Sequence, residues 1–241
     1  MIPPRGVGAF AASKAAVTAP CDTGQVTELK PTHARDMWKA LTNNATGLIR
    51  DAHTLLEAGS FGRARSLTVL AQEELGKALW LYDQFEFVWN TGDETPQDVP
   101  RLDQHGRSHV AKYMSAVEFG DGLDEFWGDY SKWEDIGHTE AEWAEHFERR
   151  RREAEAAAQE ANAAKQRGFY VDLDEMSGEV RTPSDVDAGS LVDDLRTAAQ
   201  VIEMLLISDH TRMKHDAVTP YDSTHIQQRW LLPIAHPGES A

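Results

Sequence analysis

Apolar residues recur at three- and four-residue steps from Pro31 onward, and a glycine–serine pair divides this pattern into two long halves. The first half contains Leu41, Ala45, Leu48, Ala52, Leu55 and Leu56. This spacing places apolar side chains on one face of an α-helix, so we predict helices near 33–58 and 61–90. Gly59 suits the end of the first helix, and Ser60 suits the N-cap of the second. Because the link between them is so short, the two helices are predicted to form an antiparallel hairpin.

The rest of the chain also favours helices. A shorter helix is predicted near 101–118, and a long alanine-rich helix over 139–167, whose many charges are expected on a solvated face. The segment 168–183 reads as extended, with turn residues inside it, and is predicted to form a small hairpin. Thr182 or Ser184 can cap a last helix. The predicted fold class is therefore all-α, a helical bundle built on the long antiparallel hairpin.

The two ends of the chain lack this periodicity. Residues 1–30 are rich in Ala, Gly and Pro and are predicted to form a flexible N-terminal tail. Residues 220–241 are predicted to form an irregular C-terminal tail. The helical domain is accordingly expected to span residues 31–219.

Charge and cysteine content restrict the classes of function. The formal net charge of −16 opposes non-specific nucleic-acid binding, since phosphate contacts supply most of that affinity. Cys21 is the single cysteine, so no internal disulfide can form and a cytoplasmic location is expected. No apolar run approaches the roughly 20 residues that a membrane-spanning helix needs, so no membrane partner is expected.

The second helix breaks its own pattern at residues 70–79, which read LAQEELGKAL. On a helical wheel Glu74 falls in the middle of the apolar stripe. Glu73 falls at its edge, four residues before Lys77, where an acid and a base form a favourable pair. Gly76 lowers helix stability by roughly 1 kcal/mol relative to alanine. A glycine at such a position predicts that another part of the chain approaches the helix backbone closely.

A carboxylate on an apolar stripe needs a cationic or hydrogen-bonding partner, because burying it unpaired is costly. We predict that Glu74 faces His109 or Lys112, which lie three residues apart and share a helix face. His105, four residues before His109, is expected on the same face. Two interpretations remain open: a buried salt bridge that fixes helix packing, and a functional site.

Three segments of the sequence resemble one known family. NATGLIRDAHTLLEAGSFGRARSLTVLAQEELGKALWL resembles the opening of the AbiV family of bacterial abortive infection proteins, including its Glu-Glu-x-Gly-Lys ending. RSHVAKY and KQRGFYVDL resemble two later stretches of that family, in the same order. The resemblance covers roughly Asn43 to Asp172. It departs from the family pattern at Val110, where a second lysine is common, and at Phe169, which replaces leucine.

The AbiV family is grouped with HEPN domains, which are all-helical modules of antiphage and toxin systems. The resemblance implies a HEPN-like bundle and phage defence by halting the infected cell. Many HEPN proteins are ribonucleases whose sequences carry an arginine followed, after four to six intervening residues, by a histidine. Here Arg101 precedes His105 by three intervening residues and His109 by seven, and Arg212 precedes His215 by two. None of these pairs has the ribonuclease spacing, but Arg229 and His236, with six residues between them, do have it, so ribonuclease activity remains open.

The candidate site residues come from separate segments of the chain. The candidate catalytic cluster is Glu73, Glu74, Lys77, His109 and Lys112, and the candidate binding residues are Arg167, Tyr170 and Asp172. Tyr170 and Asp172 alternate as residues on a strand do, so an edge strand also explains them. Taken together, these residues make a functional site as reasonable an interpretation as a structural one.

Two functions remain open. The first is a binding protein that recognises a phage product or a host translation component and has no chemistry of its own. The second is a metal-independent ribonuclease, as a homodimer, with His109 as acid or base and Lys77, Lys112 or Arg167 holding phosphate. The acidic net charge favours the first, whereas the defence setting and the polar cluster favour the second. The candidate partners are accordingly a phage-encoded trigger protein, RNA, the translation machinery and a second copy of the chain.

No cofactor or metal is expected. A di-iron bundle needs paired Glu-x-x-His motifs, which the sequence lacks. A single cysteine argues against a structural zinc site. His210 and His215 form at most a loose histidine pair.

Overall fold

The computed structural model describes residues 28–126, 139–174 and 176–215, together with 218, 220–223, 227 and 231–238. The helices of these residues are α1 (Pro31–Glu57), α2 (Phe61–Thr91), α3 (Pro100–His105), α4 (His109–Asp121), α5 (Leu123–Phe126), α6 (Glu140–Phe169), α7 (Leu191–His215) and α8 (Leu232–Ala235). The strands are β1 (Glu28–Leu29), β2 (Gln97–Asp98), β3 (Asp172–Leu173) and β4 (Val180–Arg181). The prediction of an all-α bundle is confirmed.

Helices α1 and α2 form the predicted hairpin. They are joined by residues 58–60, and Gly59 adopts a positive φ of 73°, a backbone conformation that glycine accepts without strain. Ser60 occupies the N-cap position of α2, but its side chain makes no capping hydrogen bond. The buried face of α1 carries Ala34, Trp38, Leu41, Ala45, Ile49 and Ala52. Both boundaries of both helices agree with the predicted ranges to within two residues.

Helix α2 lies at the centre of the bundle. It packs against α1, α4, α6 and α7, so residues on most of its circumference are buried. Its buried side chains include Leu75, Leu79, Leu81 and Phe85. A polar residue in the middle of α2 therefore meets other helices rather than water on almost any side.

The second half of the chain differs from prediction in two boundaries. The helix expected near 101–118 is two helices, because the chain turns at residues 106–108 before Ser108 caps α4 by accepting a hydrogen bond from the Ala111 amide at 3.2 Å. Thr182 caps the 3₁₀ turn Pro183–Asp185 instead of the last helix. Helix α7 begins only at Leu191. In both places a short polar residue stabilises a local turn that interrupts helical periodicity.

The predicted small hairpin is present. Strands β3 and β4 pair in antiparallel register, Asp172 opposite Arg181 and Leu173 opposite Val180. Gly178, in the turn between the strands, has a φ of 74°. The extended segment starts later than predicted, since α6 continues through Phe169.

The chain ends are described in part. Residues 1–27 of the predicted N-terminal tail lie outside the described residues, and Glu28 and Leu29 pair with β2. Near the other end, the Gln200 side chain donates to the Ala235 carbonyl at 3.1 Å, which holds α8 on α7. Among the described residues, no helix combines the length and apolar character needed to cross a membrane.

Candidate functional site

A single carboxylate gathers three basic side chains where α2, α4 and α6 meet. Glu73 Oε1 accepts from Lys165 Nζ at 2.5 Å, and Glu73 Oε2 lies 2.7 Å from His109 Nδ1 and 3.2 Å from Lys112 Nζ. Glu73 is on α2, His109 and Lys112 are on α4, and Lys165 is on α6. These four residues are called the Glu73 cluster below. The cluster joins the three helices through one buried ionic contact.

Gly76 explains how α4 reaches this cluster. A Cβ atom on Gly76 would lie 2.7 Å from the carbonyl carbon of Lys112 and closer still to its oxygen. Only a residue without a side chain allows the α4 backbone to sit so near α2. This contact places the first turn of α4 over Glu73, one turn away on α2. The predicted close approach to Gly76 is confirmed.

A second pair of small residues brings α6 to the cluster. A Cβ atom on Gly168 would lie 2.7 Å from the carbonyl carbon of Gly62. Between these two glycines, the Ser66 hydroxyl donates to the Lys165 carbonyl at 2.8 Å. Gly62, Ser66, Glu73 and Gly76 are spaced at three, four and seven residues and therefore follow one stripe of α2. The glycines of this stripe let α4 and α6 lie close to the α2 backbone, and Glu73 lies between the two contacts.

The Glu73 carboxylate is held in its charged form. Burial alone raises its pKa, but hydrogen bonds from Lys165 and His109, together with the positive charges of Lys165 and Lys112, lower the pKa below its ordinary value. One carboxylate thus faces two ammonium groups. The side chains of Glu73, Lys112 and Lys165 are 4%, 9% and 6% exposed, whereas that of His109 is 50% exposed.

His109 is therefore the part of the cluster that solvent and partners can reach. An ionised carboxylate only accepts hydrogen bonds, so Nδ1 carries a hydrogen when it binds Glu73. This interaction fixes the orientation of the ring and leaves Nε2 without a partner among the described residues. A histidine held in this way can take up or release a proton, or bind a polar group of another molecule.

The prediction for the two glutamates was wrong. Glu74 pairs with Lys77 on the same helix, at 2.5 Å, and both side chains are about one-fifth exposed. Glu73, not Glu74, faces His109 and Lys112. The reason is that helices cover α2 on several sides, so its widest apolar stripe does not identify the side that meets α4 and α6. The predicted sharing of one helix face by His109 and Lys112 is confirmed.

The remaining candidates lie outside the cluster. His105 is exposed at the end of α3, with its ring 6.5 Å from that of Trp80. Arg167 forms a surface ion pair with Glu160. Tyr170 is exposed after the end of α6, and Asp172 lies exposed in β3. None of these four has a described contact with the Glu73 cluster.

Sequence reasoning missed Lys165 because it sits in the long charged helix, where lysines are usually solvated. The signal was nevertheless present. Ala158, Ala161 and Gly168 share a helix face with Lys165, so this lysine lies on the one stripe of small residues in an otherwise charged helix. Such a stripe indicates a face that packs closely on another helix.

A second buried ionic group was also missed. Arg35 on α1 binds Asp209 on α7 through two hydrogen bonds of 2.6 Å each, and Arg212 donates to the same carboxylate at 2.9 Å. The Arg35 guanidinium also lies over the rings of Trp38 and Trp89, 4.7 and 5.1 Å from their centroids. The group fastens α1 to α7. Arg212 is buried in it and so does not serve an exposed site.

No metal centre emerges from the described residues. None of their histidine, cysteine, aspartate and glutamate side chains form a group of three or more that could hold an ion. His210 packs its ring against Tyr221, with 5.5 Å between centroids.

Comparison with known proteins gives one result. A family model described as AbiV, of the HEPN group, matches residues 33–203, which is more than two thirds of the chain. The matched range contains the whole Glu73 cluster and both helices of the hairpin. No curated protein and no solved structure matches the chain.

Proposed function

The chain belongs to the AbiV family of abortive infection proteins, and we propose that it arrests infected cells by binding a phage product or a host translation component, without chemistry of its own. The family match supports the antiphage role. The Glu73 cluster and the net charge of the protein support a binding mechanism.

The observation that carries this proposal is the burial of both lysines of the cluster. A ribonuclease needs cations that face the scissile phosphate, and these ammonium groups are directed to Glu73 with at most 9% of either side chain exposed. Arg212, the arginine nearest in sequence to His215, is likewise buried against Asp209. The net charge of −16 further opposes the approach of RNA.

In this proposal the cluster is a latch. It holds α4 and α6 against α2 and presents the half-exposed His109 ring at the edge of the joint. Removing one member of a buried ion pair costs about 3–5 kcal/mol, so the latch gives the three helices a single defined arrangement. A protein partner that recognises this arrangement would contact His109 and the surface around it.

The test is a bacterial cell-free translation reaction that receives the purified protein, with or without lysate from phage-infected cells. We expect reporter synthesis to fall in the presence of infected lysate while ribosomal and messenger RNA stay intact. His109→Ala should weaken the inhibition in a protein that its thermal melt shows to be folded at the assay temperature, because Glu73 keeps both of its lysine partners. A matched control is His53→Ala, since His53 is a partly exposed histidine on α1 outside the cluster. RNA fragmentation that precedes the loss of synthesis would contradict the proposal.

One observation favours the alternative, a metal-independent ribonuclease. Glu73 orients His109 as a carboxylate orients a catalytic histidine, and the ring is open to solvent on its other side. Incubation of the purified protein with total bacterial RNA separates the two functions. Cleavage by the wild-type protein and not by His109→Ala would establish the ribonuclease.

A further inference from the structure

The β3–β4 hairpin presents an apolar face to solvent. All four of its strand residues are exposed. Leu173 lies opposite Val180, and the two residues are 56% and 64% exposed. Because successive side chains of a strand point to opposite faces, these two residues define one face of the hairpin. Val171, two residues before Leu173, continues this face and is 66% exposed.

More apolar side chains adjoin this face. Tyr170 precedes β3 and Met176 lies in the turn, and both are exposed. Phe169, at the end of α6, is also exposed. Six large apolar residues within residues 169–180 are therefore in contact with water. Single exposed apolar residues are ordinary, but a group of them bordered by polar residues indicates a surface that binds another protein.

The opposite face of the hairpin is ionic. Asp172 lies opposite Arg181, and Arg181 pairs with Asp174. The amides of Ser177 and Met176 donate to Asp174 Oδ1 at 2.8 and 3.0 Å. These hydrogen bonds lower the pKa of the Asp174 carboxyl, so it remains charged at neutral pH. The hairpin thus has one apolar face and one face of fixed charges.

Carboxylates outnumber basic groups in this part of the chain. Residues 168–187 contain six acidic residues and one basic residue, Arg181, which gives a formal net charge of −5. Asp172 and Glu179 are exposed and form no ion pair with a described residue. A cationic partner would therefore meet carboxylates that lack a counter-charge, whereas an acidic partner would be repelled. A second copy of this chain, with a net charge of −16, is disfavoured for that reason.

Each strand of the hairpin also has an open edge. Among the described residues, β3 and β4 pair only with each other. The backbone N–H and C=O groups on the outer side of such a strand are a template for a further strand. An extended peptide that adds to this edge places alternate side chains on the two faces of the sheet. Along β3, one set of side chains would lie beside Leu173 and the other beside Asp172.

We propose that the β3–β4 hairpin binds an extended segment of another protein, in which lysine or arginine alternates with apolar residues. The segment adds along β3, with its apolar side chains on the face of Leu173 and its basic side chains on the face of Asp172. Apolar pairs and opposite-charge pairs between neighbouring strands both stabilise a sheet. The proposal does not depend on whether the Glu73 cluster binds a partner or cleaves RNA, because the hairpin has no described contact with that cluster.

The test is fluorescence anisotropy of labelled peptides with the full-length protein. The probe is a peptide of about ten residues, roughly the upper length of a natural strand, in which lysine alternates with valine. Three control peptides replace every lysine by glutamate, replace every valine by serine, or keep the composition and separate lysine and valine into two blocks. We expect the probe to bind with a Kd below about 1 mM and each control at least about tenfold more weakly. Raising the ionic strength should weaken binding of the probe.

Matched variants tie binding to the hairpin. Val171→Thr should weaken binding of the probe by about threefold or more, because it removes apolar contact area at nearly unchanged volume. Val192→Thr is its control, since Val192 is an exposed valine on α7, and it should leave binding unchanged. Asp172→Lys should weaken binding at least about tenfold by placing like charges opposite each other. Its control is Asp51→Lys, which makes the same change in net charge at an exposed position of α1.

Four results would overturn the proposal. They are no binding of the alternating peptide, equal binding of the block or glutamate peptide, equal affinity of the hairpin variants and the wild type, and a dimer in light scattering that Val171→Thr dissociates. The last result would assign the apolar face to a second copy of the chain. Thermal melts check folding, and substitutions at exposed positions should leave them unchanged. If Val171→Thr fails to fold, the comparison of Asp172→Lys with Asp51→Lys decides the question.

Discussion

Glu73 and Glu74 are adjacent glutamates on one helix, and the same substitution at each should have very different consequences. Among the described residues, Glu73 is the one carboxylate that pairs with Lys112 and Lys165, so Glu73→Gln removes the counter-charge of two buried ammonium groups. Breaking a buried pair in this way costs about 3–5 kcal/mol. Glu74→Gln breaks a partly exposed pair with Lys77, for which about 0.2–1 kcal/mol is typical.

These free energies convert to separable melting temperatures. In a domain of about 150–250 residues, 1 kcal/mol shifts the midpoint by roughly 2–4 °C. Glu73→Gln is therefore expected to melt about 6–20 °C below the wild type, and Glu74→Gln within about 4 °C of it. Differential scanning calorimetry measures both shifts, and urea unfolding at 25 °C checks that the slope m is unchanged.

Equal shifts for the two variants would refute the assignment of Glu73 as the buried partner, and a larger shift for Glu74→Gln would reverse it. A double variant, Glu73→Gln with Lys165→Met, gives a further check. Removing both charges replaces the pair by groups of similar volume, so part of the lost stability should return.

Three further predictions concern packing, the second ionic group and pH. Gly76→Ala should destabilise the protein by about 1–3 kcal/mol or more, because the added methyl group overlaps the α4 backbone. Gly47→Ala adds a methyl group that meets no atom within 4 Å and should stabilise the protein by up to about 1 kcal/mol. Chemical unfolding measures both changes. Asp209→Asn should cost about 3–5 kcal/mol by calorimetry, since it leaves two buried guanidinium groups without their shared carboxylate. Because the folded pKa of Glu73 lies below its ordinary value of 4.5, its contribution is complete above pH 4.5 and is lost as pH falls further; acid unfolding should therefore be less steep in Glu73→Gln than in the wild type.

Helix positions were predictable because a long helix repeats its signal over many turns. The α1–α2 hairpin needs only the three-four recurrence of apolar residues and a short link. The close contact at Gly76 was predictable for a different reason. A glycine inside a strongly helical stretch is unfavourable unless another backbone occupies the space that a Cβ would fill.

Which of two neighbouring glutamates is buried was not predictable from the same pattern. Adjacent helix residues point about 100° apart, and a wheel identifies one apolar side only when the helix has one buried side. Helix α2 has several, because α1, α4, α6 and α7 all pack on it. The pairing of Arg35 with Asp209 is a harder case, since 174 residues separate them and no local spacing connects them.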